Sequence, residues 1–302
     1  MCWAFEPYRD DRLPLGRASA LAYSRLHAPH PEPEIHVTVS SGDSDLAPET
    51  TSLADGLAFS FWLPAAVAAS LILAIGRLLA AAELGRIAAL AAAGTFVVYA
   101  VDRLRDRDRD RQTSPRRTAF LERNLTAFRV ALASAGLVLA ITALGSSMES
   151  LALCAALGGL GLLHRRLKHV PALKSVYVSI AWTGVCVGLP WLAAPEATST
   201  EALALVAVLY PTFWANLVAS NLRDDEAAAP PLRALALARG ALVFAIAACA
   251  FAPPALRLLA WVPVFELATL LRFRATEHYG HLAVDGALFV GALATLAHHA
   301  LA

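Results

Sequence analysis

From Gly56 onward, long apolar runs alternate with short polar connections. The runs approach the length a helix needs to cross a bilayer, about 20 residues for about 30 Å of hydrocarbon. They fall at 57 to 80, 85 to 101, 128 to 146, 149 to 163, 173 to 194, 201 to 221, 235 to 252, 254 to 271 and 282 to 301. The pattern predicts an all-α fold, a polytopic membrane helical bundle of about nine transmembrane helices. A tight turn is expected at Pro253-Pro254, because proline ends the helix before it. The short run 149 to 163 is Gly-rich, which predicts close packing against a neighbour.

Residues 1 to 56 differ in kind. They are rich in Pro, Ser, His, Asp and Glu through His27 to Asp55 and carry no sustained helical or strand period. That composition predicts a disordered tail ahead of a transmembrane domain spanning 57 to 302. No basic-then-apolar-then-small pattern opens the chain, so a cleaved secretory peptide is not expected.

Composition sharpens the class. Hydrophobic residues make up 58% and charged residues 16%, with a mean hydropathy of +0.56, whereas an ordinary soluble domain is about 25% charged. A soluble globule is thereby excluded. The net charge of +1 says little about partners, since the charges are segregated along the chain, and nothing in it points to nucleic acid or an obligate protein partner. Cys2, Cys154, Cys186 and Cys249 form no close pair, so they read as small core residues rather than a disulfide framework or a zinc site.

Loop charge orients the bundle. Arg103, Arg105, Arg107, Arg109, Arg111, Arg116, Arg117 and Arg123 follow the second run. Arg165, Arg166 and Lys168 follow the fourth, Arg223 and Arg233 the sixth, and Arg272 and Arg274 the eighth. Connections 145 to 150 and 195 to 201 carry no Lys or Arg, while Arg77 and Arg86 flank the first connection as an exception. By the positive-inside rule the basic loops and the N-terminus are cytoplasmic, and an odd helix count puts the C-terminus outside.

Against that frame the run Asp102-Arg-Leu-Arg-Asp106-Arg-Asp108-Arg-Asp110 acquires geometry. If the second helix continues past Val101, Asp102, Asp106 and Asp110 stand at i, i+4 and i+8 on one face. Stacked carboxylates repel unless a cation lies between them. Interleaved arginines give one solution, a solvated charged extension; Mg²⁺ carrying phosphate oxygens gives another, suited to hard oxygen donors. The sixth run ends in a comparable stripe, with Asn216, Ser220 and Asp224 at i, i+4 and i+8, followed by Asp225 and Glu226. Two acidic helix ends on one membrane face can hold Mg²⁺ and a diphosphate between them.

Asp102-Arg-Leu-Arg-Asp106 and Asn221-Leu-Arg-Asp224 resemble the two aspartate-rich motifs of the UbiA superfamily of intramembrane prenyltransferases. The second is most similar to the branch that prenylates dihydroxynaphthoate. Pro231-Leu-Arg-Ala-Leu-Ala-Leu-Ala-Arg-Gly240 resembles the segment that follows it there, and Arg165-Arg-Leu-Lys168-His-Val-Pro171-Ala-Leu-Lys174 is similar to the basic loop before the family's fifth helix. The resemblance covers about residues 57 to 301. It implies nine helices and an active site open to the cytoplasm, in a bacterial inner or plasma membrane. Asp102, Asp106, Asn221, Asp224 and Asp225 would bind Mg²⁺, with Asp102, Asp106 and Asp224 catalytic. Arg116, Arg117, Lys168 and Lys174 would hold the departing diphosphate of a prenyl donor, and Asn216 and Tyr99 would contact substrate. The acceptor implied is a lipophilic, aromatic quinone precursor.

The chain also departs from the family pattern. Val98 and Tyr99 stand where the first motif usually opens with Asn and Asp, Ala228 replaces a second-motif Asp, and Ser114-Pro115-Arg116-Arg117 is the nearest match to an Arg-Pro segment. These departures keep a second reading open, a catalytically silent UbiA-like protein that binds lipid or serves as a scaffold. A transporter is disfavoured, because the charged stripes lie at helix ends rather than at a midplane site. Phe96, Trp182 and Trp214 join Tyr99 as candidate walls for an allylic cation. Glu266 inside the eighth run is a functional suspect. His281 and Asp285, one turn apart at the start of the last run, either line the same opening or cap that helix end. His298 and His299 are expected at the opposite interface.

Overall fold

The computed structural model describes residues 53 to 167, 171 to 223, 230 to 276 and 278 to 301. Most of the expected tail, residues 1 to 52, therefore lies outside the described residues. Every described element is helical, with no strand among the described residues. Among the described residues, seven helices are long and apolar enough to cross a membrane, and an eighth span arises if a bent N-terminal pair counts as one. The chain is therefore a multi-pass helical bundle of membrane type. The fourth expected run lies on a shorter apolar helix that falls below that length.

The bent pair is α1 (Leu53–Phe59) and α2 (Trp62–Leu78), which meet at 60°. Phe61 makes the bend, held in the left-handed region at φ 62°. Such a conformation is costly for a bulky side chain, and the ring is retained by packing against Phe96 and Phe128. A tight connection through Ala80 and Glu83, both at positive φ, leads to α3 (Leu84–Thr113). Arg86 from α3 bonds Glu83 and Ser146.

Helix α3 does continue past Val101, through the whole Asp-Arg run. It stops at Ser114 because Pro115 supplies no backbone donor and starts α4 (Pro115–Arg123) instead. Then follow α5 (Leu125–Leu144), α6 (Met148–Leu167) and α7 (Pro171–Thr183). A π-helical turn, Gly184–Gly188, joins α7 to the short α8 (Leu189–Leu192). Helix α9 (Ser199–Arg223) contains Pro211, and α10 (Pro231–Phe251) ends before the Pro253-Pro254 turn. A 3₁₀ segment, Pro254–Ala260, leads into α11 (Trp261–Leu271); a second π-helical turn, Tyr279–Val284, leads into α12 (Asp285–Leu301).

The largest core joins α2, α9, α12 and the α11 segment through Leu71, Ile75, Leu209, Leu259, Val262 and Leu288. By contrast α5 buries only Phe128 fully; Leu132, Ala135, Leu139 and Ala143 pack one face against the cores, and the opposite face exposes Val130, Leu137, Val138, Ile141 and Leu144, a surface suited to lipid. Close approaches are made by glycines. A Cβ on Gly291 would lie 2.6 Å from Val262 Cα, so α12 meets α11 backbone to backbone. The glycines of α6 were expected to do the same, yet a Cβ on Gly158 or Gly159 would meet nothing within 4 Å. The packing is reversed there: Leu157 and Leu153 of α6 press on Gly184 and Gly188 of the π-helical turn.

Candidate functional site

A cavity opens among α2, α3, α7, α9 and α12, lined by Pro64, Val67, Tyr99, Trp182, Phe213, Asn216, Leu217, Asp285 and Leu288. Its wall is aromatic. The Tyr99 and Trp182 rings stand 6.4 Å apart edge to face, and Trp182 and Phe213 are 5.5 Å apart. Helical spacing positions these groups: Phe213 and Asn216 are three residues apart on α9, and Tyr99 is three before Asp102 on α3. Asp102 acts electrostatically on the Tyr99 hydroxyl, so a carboxylate stands about one turn beyond the wall.

Polar groups close one end of the cavity. Asn216 Nδ2 donates to Asp285 Oδ1 at 3.3 Å, and His281 Nδ1 lies 3.5 Å from Asp285 Oδ2. The π-helical turn carries His281, and such turns often occur at functional sites because the extra residue re-aims side chains. Arg117 Nη1 lies 3.3 Å from His281 Nε2, and Arg223 Nη1 lies 3.5 Å from Nδ1. A Cβ on Gly280 would sit 2.4 Å from Arg223 Cδ, so the bare glycine is what admits that arginine. The Phe59 ring stands edge to face with the His281 ring at 6.0 Å.

Arg117 carries the network onward to α3. Its Nη2 donates to Asp110 Oδ2 at 3.2 Å, and Arg103 Nη1 donates to the same oxygen at 3.0 Å. Asp110 is 8% exposed and Arg117 3%. Asp108 behaves as a solvated extension, exposed and paired with Arg111 at 3.2 Å. Asp110 does not, because two guanidinium groups draw it inward.

The candidate residues therefore separate by place. Tyr99 and Asn216 share the cavity. Asn221 is buried and donates from Nδ2 to Ser175 Oγ at 2.8 Å, tying α9 to α7. Arg116 is exposed, and Lys174 on α7 is partly buried. Arg117 joins the Asp110 and His281 network. Lys168, Asp224 and Asp225 lie outside the described residues, as does Ala228. Asp102 and Asp106 supply hard oxygen donors one helical turn apart, a donor chemistry suited to Mg²⁺. No three His, Cys, Asp or Glu among the described residues converge as a cation cage, so the α3 pair needs partners from elsewhere.

Glu266 is fully buried in α11, and neither of its carboxyl oxygens has a hydrogen-bond partner among the described residues. The Asp285 carboxylate acts on it electrostatically, and the Asn216 amide is its polar neighbour. Arg103, Ser175 and Arg223 carried no individual signal in the sequence, since each is one of several similar residues in its segment, whereas Asp110 stood out by its helical spacing from Asp102 and Asp106. So did His281 and Asp285, through their i, i+4 spacing. His298 accepts from Trp261 Nε1 at 3.2 Å near the far end of α12.

No protein-family model, no curated protein and no solved structure matches this chain.

Proposed function

We propose that this is a Mg²⁺-dependent prenyltransferase of the UbiA type, with nine spans and its site facing the cytoplasm. It would transfer an isoprenoid chain from a prenyl diphosphate to a lipophilic, aromatic acceptor within the membrane. The observation that carries this reading is the cavity walled by Tyr99, Trp182 and Phe213, whose Tyr99 stands one turn before Asp102 on α3. An apolar aromatic wall shields an allylic cation from water, and carboxylates at its edge suit the polar end of the same donor.

Asp102, Asp106, Asn221, Asp224 and Asp225 would hold Mg²⁺, which neutralises diphosphate charge when bound. Arg116, Lys168 and Lys174 would contact the outer phosphate oxygens by charge-assisted hydrogen bonds. Tyr99, Trp182 and Phe213 hold the allylic carbon away from water, and Asn216 faces the acceptor.

A second reading is favoured by one specific observation. Arg117 is buried between Asp110 and His281 rather than facing outward, which would suit a silent UbiA-like protein that binds lipid. The experiment that decides uses purified protein with labelled farnesyl diphosphate, Mg²⁺ and a panel of hydroxyaromatic acceptors. Wild type is expected to bind the diphosphate with Mg²⁺ and turn it over, with both properties lost in Asp102→Asn and Asp224→Asn. Binding indifferent to both substitutions, or no binding by wild type, sinks the enzyme reading. Binding without turnover on any acceptor supports the silent one.

A further inference from the structure

We propose that Asp285 is the proton acceptor of the cavity, positioned by Asn216 and His281, and that the acceptor substrate must present a hydroxyl to it. This rests on the prenyl-transfer reading and assigns that reaction a base.

Asn216 Nδ2 donates to Asp285 Oδ1 at 3.3 Å, and the His281 ring stands beside the other carboxyl oxygen, with Nδ1 3.5 Å from Oδ2. Both ring nitrogens of His281 also face guanidinium donors, Nε2 at 3.3 Å from Arg117 Nη1 and Nδ1 at 3.5 Å from Arg223 Nη1, so the ring is held in place from several sides. The Asp285 carboxylate, held by the Asn216 amide, still lines the cavity. An ionised carboxylate only accepts, so in a cavity otherwise lined by aromatic and aliphatic side chains and the Asn216 amide it selects a molecule that donates.

Charged and titratable groups face this carboxylate from each side. They are Tyr99 of α3, Arg117 of α4, Arg223 of α9, Glu266 of α11 and His281 of its own segment. From α2 only Pro64 and Val67 reach the cavity.

The step balances as follows. The bond between the prenyl carbon and the diphosphate oxygen breaks, its electron pair leaving with the diphosphate. The acceptor's O–H bond breaks, with the proton passing to an Asp285 oxygen and the electron pair staying on the acceptor. A ring carbon activated by that oxygen forms the new C–C bond. Tautomerisation moves the ring proton to the oxygen and restores the hydroxyl. Asp285 then releases its proton to water as the diphosphate departs.

The test compares wild type, Asp285→Asn and Asp285→Glu with farnesyl diphosphate and 1,4-dihydroxy-2-naphthoate, alongside that acceptor's bis-O-methyl ether. Loss of a general base costs about 10² to 10⁴-fold in rate, so Asp285→Asn is expected to lose that much kcat, with Mg²⁺-dependent diphosphate binding retained. The acidic limb of the wild-type kcat/KM profile should disappear in Asp285→Asn, and Asp285→Glu should recover part of the rate. Wild type should reject the ether by a comparable factor. If wild type turns over but Asp285→Asn keeps both rate and pH profile, the inference fails and prenyl transfer stands. If Asp285→Asn does not fold, equal turnover of ether and hydroxyl acceptor by wild type overturns the inference. If wild type transfers no prenyl group, both fall together.

Discussion

Arg117 Nη2 lies 3.2 Å from Asp110 Oδ2, and both side chains are buried at the end of a run whose alternating charges suggest a solvated helix. Removing one member of a buried pair leaves the other charge uncompensated, at a cost of about 3–5 kcal/mol. Asp110→Ala is therefore expected to lower thermal stability in detergent by an amount in that range. Asp108→Ala, at an exposed position, should change it by no more than about 0.5 kcal/mol. Equal effects of the two would contradict the buried network.

The contact of Gly291 with the α11 backbone predicts a large effect from one methyl group. Backbone cannot rotate away as a side chain does, and overpacking of this kind costs about 1–3 kcal/mol. Gly291→Ala should lower the melting temperature measurably, whereas Gly286→Ala, with nothing within 4 Å of its Cβ position, should not.

Ala80 is held at φ 51° in the connection between α2 and α3. Left-handed backbone costs an L-residue about 1–2 kcal/mol, and glycine is free of that penalty at the expense of some unfolded-state entropy. Ala80→Gly should therefore be neutral to stabilising by about 1 kcal/mol, read by thermal unfolding in detergent. Clear destabilisation would mean the turn is not strained.

If the cavity wall shields a cation, Trp182 should matter through its ring. Cation–π contacts contribute about 0.5–2 kcal/mol, so Trp182→Leu should reduce prenyl transfer by up to about thirtyfold, and Trp182→Phe by less. Equal rates for the two variants would remove the electrostatic role of the wall.

Metal removal separates the two halves of the Asp-Arg run. Chelation should abolish binding of labelled farnesyl diphosphate, and Asp102→Asn should raise the Mg²⁺ concentration needed to restore it. Asp108→Asn should leave that titration unchanged. A similar shift in both would place the metal elsewhere on α3.

Hydropathy alone located the apolar runs, because a backbone surrounded by lipid must satisfy its own hydrogen bonds and so must be helical wherever the chain is apolar for long enough. Periodicity also placed Asp102, Asp106 and Asp110 on one face, and His281 beside Asp285, since i and i+4 positions are neighbours on any helix. Local spacing is silent on what lies across from a face. Only the tertiary packing set Tyr99, Trp182 and Phe213 around one cavity, drew Asp110 in against Arg103 and Arg117, and brought Arg117 to His281, 164 positions away. Those outcomes depend on which helices pack together and how each is rotated, quantities that no short window of sequence contains.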